Sequence, residues 1–328
     1  MMAANVWIVL VNYNGLSDTR LCLHSLTALT HSASIIVVDN ASLDDPFPTL
    51  AAEFPEVHRI AAGVNGGWAG GNNVGLRFAL AHGADLVILL NNDTTVSPDL
   101  VTRLLAAAES HPEFGILGPV IRFMAPPCEV QTEGVVFNRP GQPGFFQRLP
   151  VPLRTTDPPT VEEVDIVNGC CLMVRRAVVE RIGLIDEKFF LIHEESDFCL
   201  RAQRAGWKNG VLAESLVWHK GSSSFQREGK RLQRYFDARN LVRLLVKHGH
   251  QRGRRPLFVG LGLHLRYVYH RYAIERDSGF AFSADGVLDG LYDAYRGRYG
   301  PYQQESRSGI GVLRRLFDFL WRQRTDAR

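Results

Sequence analysis

The chain has 328 residues, of which 45% are hydrophobic and 22% are charged, a balance typical of a globular protein with one large domain and an appendage, or with two domains. Its formal net charge of +3 is too small to indicate a nucleic-acid-binding protein, which usually carries a concentrated basic stripe. The first residues lack the positive charge of a signal peptide, and no apolar run approaches the roughly 20 residues of a membrane span. We therefore expect a cytoplasmic protein.

The first half of the chain alternates strand-like and helix-like segments. Continuous apolar runs predict strands at residues 6–11, 34–38, 57–61 and 85–90. Helices are expected after the first strand, with Asp18 as a cap, and from Pro98 to Ser110. This alternation predicts an α/β fold with a doubly wound, mostly parallel sheet that has helices on both faces.

Polar clusters follow three of these strands. They are Asn12-Tyr13-Asn14, Asp39-Asn40 and Asn91-Asn92-Asp93. Because ligands of such sheets bind beyond the carboxyl ends of the strands, we expect the clusters to converge on one site. Asp93 is suited to hold a hard divalent cation that bridges substrate phosphates, although a turn or cap is the ordinary role of such an aspartate.

A glycine-rich loop is predicted from Gly63 to Asn73, before the next helix. Glycines let the backbone approach a ligand closely, and a helix start favours anions. The segment does not match G-x-G-x-x-G and lacks the Lys-Ser/Thr end of a P-loop, which disfavours both of those nucleotide-binding folds.

The second half is expected to be irregular from Gly134 to Pro159. A helix is then predicted from about Glu194 to Ala205, ended by Gly206, and a strand from Val211 to Trp218. Beyond about Phe225 the pattern is helical and basic, which indicates a separate C-terminal subdomain.

The predicted helix at 194 begins with a group of carboxylates. Asp197 and Arg201 stand one turn apart and are expected to pair. Either Glu194 or Glu195 could be a general base that takes a proton from an acceptor hydroxyl, and either could simply cap the helix.

His219 and the cysteines are the remaining candidates for site chemistry. Histidine is a common metal ligand, and the Gly-Ser-Ser sequence that follows at 221–223 suits a mobile loop, although a lone histidine usually has another role. The five cysteines form no C-x-x-C pair, and Cys170 and Cys171 would point to opposite sides of a strand. We expect buried thiols of a reducing compartment.

Taken in order, these segments resemble the inverting glycosyltransferases of family two, in their rhamnosyltransferase-like branch. The matching segments are Val11 to Gly15, Val38 to Ser42, Asn65 to Asn73, Leu90 to Thr94, Asn168-Gly169, Glu194 to Arg201 and Trp218 to Ser222. The resemblance implies a GT-A fold over residues 1–225, with a nucleotide-binding half at about 1–123 and an acceptor-side half at about 124–225. Residues 226–328 would form the helical, basic subdomain.

The resemblance also implies roles for particular residues. Val11 and Tyr13 would contact the nucleobase, and Asp39 would hydrogen-bond its imide. Further residues implied on the nucleotide-sugar side are Asn12, Asn65, Gly71, Asn72 and Asn92.

The resemblance likewise supplies the implied catalytic and supporting residues. Asp93 and His219 would hold Mg²⁺ or Mn²⁺, and Glu195 stands where the family commonly has its aspartate base. Implied acceptor-side or supporting residues are Gly169, Glu194, Asp197, Arg201 and Trp218. Two departures stand out: asparagines replace acids at 91 and 92, and Glu195 is one methylene longer than aspartate.

The implied activity is metal-dependent, inverting transfer of a sugar from a nucleoside diphosphate to a hydroxyl of a glycan or lipid-linked acceptor. The first expected donor is dTDP-rhamnose and the next a UDP-sugar. A sugar nucleotidyltransferase would share the sheet, but it usually has Arg and Lys in a glycine-rich loop where this chain has Asn12-Tyr13-Asn14-Gly15. A non-catalytic sugar-nucleotide-binding protein is the other alternative, favoured by the replaced acids.

Apolar residues near the C-terminus recur on one helical face. They are Ile310, Leu313, Leu316, Phe317, Leu320 and Trp321. This face is expected either to rest on an anionic membrane, at its inner side, or to dock against the protein's own core or a second subunit of a homodimer.

Overall fold

The computed structural model describes residues 4–141, 144–221, 230–250, 254–304 and 309–326, with only the backbone at 325 and 326. The chain forms two compact units. The sheet unit comprises Met1–Phe137, Phe146–Glu187 and Glu194–Gly221, and the helical unit comprises Asn138–Phe145, Lys188–His193 and Ser222–Arg328. The expected boundary at 225 and the serines of the expected mobile loop lie outside the described residues.

The sheet unit alternates strands and helices through its first half, as the sequence predicts. Its strands are β1 Val6–Asn12, β2 Ser34–Asp39, β3 His58–Ala61, β4 Leu86–Asn91, β5 Thr94–Val96, β6 Phe114–Phe123, β7 Val130–Thr132, β8 Gly134–Phe137, β9 Phe146–Leu149, β10 Val161–Val164, β11 Cys171–Arg175 and β12 Lys208–His219. Its helices are α1 Leu16–Leu26, α2 Phe47–Glu53, α3 Gly67–Ala81, α4 Leu100–Ser110, α5 Arg176–Ile182 and α6 Glu194–Arg204.

The main sheet has the order β10-β12-β6-β11-β4-β1-β2-β3. The four strands β3, β2, β1 and β4 are parallel, which confirms the doubly wound half. The antiparallel β11 then separates β4 from β6, and β12 runs parallel to β6. β5 pairs with β12, so the carboxyl end of β12 lies next to the turn that follows β4.

Both faces of the sheet are covered by helices, which confirms the expected layers. Ile8 and Leu10 of β1 belong to the core that includes α1 and α4, whereas Trp7 and Val9 belong to the core that includes α3 and α6. Alternate residues of one strand are thus buried on opposite faces, which explains the continuous apolar run.

The prediction of a long glycine-rich loop was wrong, because helix α3 begins at Gly67. A Cβ added at Gly71 would lie 2.6 Å from Val11 Cγ1, and one added at Gly75 would lie 2.3 Å from Val9 Cγ1. The glycines therefore allow the helix to pack directly on β1, a use of small residues that the sequence pattern does not distinguish from a loop.

Two smaller expectations also change. Asp18 lies inside the first turn of α1 and is not its N-cap; its carboxylate accepts a hydrogen bond from Lys220 Nζ at 2.8 Å. The segment expected to be irregular between Gly134 and Pro159 contains the two-stranded sheet of β8 and β9. Helix α6 follows the prediction closely, with Gly206 just beyond it at a φ of 98°.

The helical unit contains four described helices that share an apolar core. They are α7 Lys230–His248, α8 Leu257–Asp277, α9 Ala281–Tyr295 and α10 Ile310–Asp326. Val268, Tyr272, Leu288 and Phe317 are among the residues that fill the core between them. Over the ranges that the structure describes, none of the helices has both the length and the apolarity to cross a bilayer.

Arg239 and Asn240 on α7 are fully buried and bind the backbone of residues 188–193 in the same unit. Asn240 Nδ2 donates to the carbonyls of Phe189, Leu191 and Ile192 at 2.7–2.9 Å, and Arg239 Nη2 donates to that of Phe189 at 2.8 Å. Three non-glycine residues of this segment have positive φ, namely Phe190, Ile192 and His193. The hydrogen bonds therefore hold a backbone conformation that these residues rarely adopt.

Candidate active site

A chain of side-chain hydrogen bonds joins the carboxyl ends of β4, β1 and β2. Asn92 Nδ2 donates to Thr19 Oγ1 at 2.9 Å, and Thr19 Oγ1 donates to Asn12 Oδ1 at 2.9 Å. Asn12 Nδ2 in turn donates to Asp39 Oδ1 at 2.9 Å. The three polar clusters therefore converge at one edge of the sheet.

The carboxylate of Asp39 is held by the turn that follows β2. It accepts hydrogen bonds from the hydroxyl and the backbone N–H of Ser42 at 2.6 and 3.1 Å, and only 8% of the residue is exposed. Tyr13, which follows β1, is 39% exposed, so its ring has a free surface near this turn. These bonds and the one from Asn12 fix the position of the Asp39 carboxylate, which as an acceptor-only group is suited to binding N–H donors.

The start of α3 is tied to the same edge by asparagines. Asn40 Nδ2 donates to Asn65 Oδ1 at 3.1 Å, and Asn65 Oδ1 also accepts the N–H of Gly67 at 2.9 Å. Trp68 Nε1 donates to Asn91 Oδ1 at 2.9 Å. The other two predicted residues of this segment are buried. Gly71 lies against Val11 and Asn40, and Asn72 Nδ2 donates to the carbonyl of Trp68.

Asp93 and His219 meet where β5 pairs with β12. His219 lies opposite Thr94 in this ladder, and its Nε2 is 3.0 Å from Asp93 Oδ1. The two residues are 9% and 7% exposed, respectively. Residues 126 positions apart are thus brought into direct contact.

Asp93 and His219 together present one carboxylate oxygen and one imidazole nitrogen that could hold a metal ion. Within the described ranges, no group of three or more His, Cys, Asp or Glu residues is arranged to hold a metal ion.

Burial raises the pKa of the Cys22 thiol to about 12, and burial together with the neighbouring Cys171 and Asp93 raises that of Cys170. Burial therefore favours the protonated form of these two thiols near the Asp93 turn. All five cysteines are free thiols, and four of them are buried.

Glu194 and Glu195 at the start of α6 differ in environment. Glu194 is 5% exposed, and its Oε2 has no hydrogen-bond partner among the described residues. Burial, together with the neighbouring Glu195, raises the pKa of Glu194 well above its usual value. Glu195 is half-buried. A Cβ built on Gly169 would lie 3.3 Å from the Cβ of Glu195 and 3.1 Å from the indole of Trp68. Gly169 therefore leaves room for Glu195 beside Trp68, whose indole contacts the Asn91 turn.

The other predicted residues of this region have structural contacts. The expected pair of Asp197 and Arg201 is confirmed at 2.9 Å, and Arg201 also donates to the carbonyls of Ile182 and Leu184. Asp197 is fully buried, so the pair braces α6 against the end of α5. Trp218 is half-buried in β12, where it pairs with Thr95.

The structure adds two contacts that the sequence pattern does not predict. Gln131 Oε1 lies 2.9 Å from His219 Nδ1, and Lys220 donates to Asp18 next to the Asp93 turn. Lys220 could have been suspected from its position beside His219. Gln131 carries no sequence signal, because its approach depends on how β7 pairs with β6.

The geometry and the comparisons with known proteins together define the class of protein. The model of the glycosyl transferase family 2 domain matches residues 7–183. This chain belongs to that family, and it is a glycosyltransferase.

Relatives with named activities extend over most of the chain. The low-salt glycan biosynthesis hexosyltransferase Agl10 of Haloferax volcanii is 29% identical over 243 residues, which cover 73% of this chain and 75% of that protein. The dTDP-rhamnosyl transferase RfbF of Shigella flexneri is 25% identical over 260 residues, 75% of this chain and 82% of that protein. The N-acetylglucosaminyl-diphospho-decaprenol L-rhamnosyltransferase of Mycobacterium tuberculosis is 26% identical over 246 residues, 67% of this chain and 78% of that protein.

Solved structures share the fold at low sequence identity. The mannosyltransferase PcManGT from Pyrobaculum calidifontis, in complex with GDP-Man and Mn²⁺, superimposes with a TM-score of 0.51 at 15% identity and covers 98% of this chain and 83% of its own. GalNAc-T7 with UDP, GalNAc and Mn²⁺ gives a TM-score of 0.53 at 16% identity, with 73% of this chain and 51% of that one. The sheet unit therefore has a GT-A type fold.

Proposed function

We propose that this chain is a metal-dependent, inverting glycosyltransferase. Its donor would be a nucleoside-diphosphate sugar, first dTDP-rhamnose and next a UDP-sugar, and its acceptor a hydroxyl of a glycan or lipid-linked saccharide. The relatives that are named dTDP-rhamnosyl transferase and L-rhamnosyltransferase support the choice of donor. The observation that carries the proposal is the meeting of Asp93 and His219 at the strand ends that also carry Asn12 and Asp39.

The contact between Asp93 and His219 fits a small divalent cation. Ligands bonded at about 2.1 Å and at right angles to each other are about 3.0 Å apart, and Asp93 Oδ1 and His219 Nε2 are separated by 3.0 Å. Two protein ligands suffice, because Mg²⁺ usually completes its shell with substrate phosphates and water. Both GT-A neighbours that share the fold contain Mn²⁺ in their solved complexes.

The different environments of the two glutamates support Glu195 as the base. The raised pKa of the buried Glu194 favours its neutral form, which is a poor proton acceptor. Glu195 is more exposed and lies beside Gly169 and Trp68, where an acceptor hydroxyl can reach it. A general base must come within hydrogen-bond reach of the proton that it removes.

The proposed reaction is a single displacement. Asp39 and Asn12 bind and orient the nucleotide, and Tyr13 packs on its base. Glu195 accepts the proton of the acceptor hydroxyl as that oxygen forms its bond to the anomeric carbon, on the face opposite the diphosphate. The bond from the anomeric carbon to the diphosphate oxygen breaks, and the nucleoside diphosphate leaves. When bound, the divalent cation supplies positive charge that stabilises the departing diphosphate.

A donor panel tests this proposal. Released nucleoside diphosphate is measured with each candidate sugar nucleotide, with and without Mg²⁺ or Mn²⁺, for the wild type and for Asp93→Asn. We expect one donor to be consumed only with metal, and the variant to lose that metal stimulation. Equal turnover in EDTA would contradict the metal site, and formation of a sugar nucleotide from a nucleoside triphosphate and a sugar phosphate would favour the nucleotidyltransferase alternative.

Helix α10 supports a proposed contact with an anionic lipid surface. The expected single apolar face is divided in the structure: Phe317 packs into the core of the helical unit, with Ile310, Leu313 and Trp321 against that core. Leu316 is instead 51% exposed and joins Val312 and Phe319, which are 71% and 58% exposed. This second apolar stripe carries arginines beside it at 315 and 322. Such an arrangement suits a helix that lies in the interface of an anionic membrane.

Flotation with liposomes tests the lipid contact. The wild type should float with anionic vesicles and less with neutral ones, and the double variant Leu316→Glu, Phe319→Glu should float with neither. Val246→Glu serves as the control, because Val246 is similarly exposed at 53% on α7. A wild type that forms dimers through this stripe and does not bind vesicles would contradict the proposal.

A further inference from the structure

Gln131 occupies an irregular position in the sheet, next to the proposed metal site. In the ladder between β6 and β7, Ile121 pairs with Thr132 and the next residue, Arg122, pairs with Val130. One step along β6 thus corresponds to two along β7, and Gln131 is the extra residue of a β-bulge. Bulges change the direction of a side chain and are common next to active sites.

The side chain of Gln131 makes a specific contact with His219. Its Oε1 lies 2.9 Å from His219 Nδ1. An amide oxygen can only accept a hydrogen bond, so Nδ1 must carry the proton. A neutral imidazole protonated at Nδ1 has a lone pair at Nε2, and Nε2 is the atom that faces Asp93 Oδ1 at 3.0 Å.

In the neutral form of His219, this arrangement places two acceptors, the Nε2 lone pair and a carboxylate oxygen, in direct contact. A second proton on Nε2 would instead donate to Asp93 and has to leave before a metal ion binds there. Both residues are more than nine-tenths buried, so little water is present to screen their repulsion. The contact becomes favourable when a cation lies between the two atoms. If the Gln131 amide were turned over, its NH₂ group would donate to Nδ1 and the histidine proton would be on Nε2. That proton would then be hydrogen-bonded to Asp93, and Nε2 would have no lone pair for a cation.

We propose that Gln131 is a positioning residue, which holds His219 in the tautomer that exposes the Nε2 lone pair to a divalent cation bound with Asp93. The inference rests on the metal site of the proposed function and assigns to Gln131 a role toward that site. It acts through His219 and does not itself contact the cation. Groups that orient a metal-binding histidine typically change metal affinity about 10–100-fold when they are removed.

The tautomer is tested first, without metal and without activity. ¹⁵N-labelled histidine reports by NMR which ring nitrogen carries the proton, and comparison with His219→Gln assigns the His219 signals. We expect a protonated Nδ1 in the wild type and in Gln131→Glu, which keeps an acceptor at this place. Gln131→Leu has no acceptor and should shift the signals toward the Nε2-protonated form.

Metal affinity is tested second, by titrating each purified protein with Mn²⁺ and measuring free Mn²⁺ by electron paramagnetic resonance. Gln131→Leu should bind Mn²⁺ about 10-fold more weakly or worse, and Gln131→Glu should bind at least as tightly as the wild type. Gln323→Leu, an exposed position on α10, is the matched control and should leave the affinity unchanged. Melting temperatures measured on the same samples show that each variant is folded.

The outcomes separate this inference from the proposed function. A neutral His219 that carries its proton on Nε2 in the wild type overturns the role of Gln131. Unchanged Mn²⁺ affinity of Gln131→Leu, while Asp93→Asn and His219→Gln lose affinity, overturns it as well. Unchanged affinity in Asp93→Asn and His219→Gln overturns the metal site itself.

Discussion

Helix α3 packs so closely on β1 that we expect even one added methyl group between them to destabilise the protein. A Cβ added at Gly75 would lie 2.3 Å from Val9 Cγ1 and 2.9 Å from Val9 Cγ2. Ordinary carbon contacts are about 3.5–4.0 Å, so Gly75→Ala forces either Val9 or the helix to move. Val9 is fully buried in the sheet and cannot turn away into solvent.

We expect Gly75→Ala to lower the free energy of unfolding by about 1–3 kcal/mol, the usual cost of overpacking a core. For a unit of this size each kcal/mol lowers the melting temperature by roughly 2–4 °C. The measurement is thermal and urea unfolding, followed by circular dichroism, of the purified variant beside the wild type.

Gly70→Ala is the matched control on the same helix. A Cβ at Gly70 would meet nothing within 4 Å, and its φ is not positive. Because alanine loses less backbone freedom than glycine in a helix, Gly70→Ala should be neutral or stabilise the protein by about 0.5–1 kcal/mol. The double variant Gly75→Ala, Val9→Ala should be less destabilised than the sum of its single variants, since Val9 is the group that clashes. Equal melting temperatures for Gly75→Ala and Gly70→Ala would refute the packing argument.

Two further predictions concern buried polar groups. Glu194 has a raised pKa in the folded protein, so the free energy of unfolding falls as the pH rises from the pKa of the unfolded chain toward that of the folded protein. Glu194→Gln should therefore become more stable relative to the wild type across that pH window. A stability difference that stays constant between pH 4 and 8 in urea titrations would contradict this prediction. Asn240→Ala removes the hydrogen bonds to the carbonyls of Leu191 and Ile192 and one of those to Phe189, which keeps its bond from Arg239, and should cost about 1–3 kcal/mol or more. Asn168→Ala is a milder comparison, because only the backbone N–H of Cys170 loses its acceptor. An Asn240→Ala variant as stable as the wild type would show that residues 188–193 do not need these hydrogen bonds.

The sequence predicts the parallel half of the sheet because its strands are continuous apolar runs that end in polar residues. β1, β2 and β4 all fall within a residue or two of the predicted bounds, and their polar ends converge as expected. Period and end signals also identify α6, whose cap Gly206 and internal pair Asp197–Arg201 are local features. Local patterns of this kind do not depend on the partner strand.

Features set by distant pairing could not be predicted in this way. The antiparallel β11 between β4 and β6 depends on contacts across more than 50 residues, and the bulge at Gln131 exists only in its pairing with β6. The glycine-rich sequence that allows α3 to pack on β1 cannot be distinguished by its composition from a flexible loop. The division of the apolar residues of α10 into a packed and an exposed stripe likewise depends on where the core of the helical unit lies.

We propose that Glu195 removes the proton of the acceptor at a site where Asp93 and His219 hold the divalent cation that binds the donor diphosphate. The most direct measurement compares Glu195→Gln with the wild type in both transfer rate and donor affinity, using the donor found in the panel. The matched control is Glu180→Gln, whose side chain is 60% exposed on α5. We expect transfer by Glu195→Gln to fall by about 10²–10⁴-fold with donor affinity nearly unchanged. Turnover comparable to that of Glu180→Gln would contradict the account.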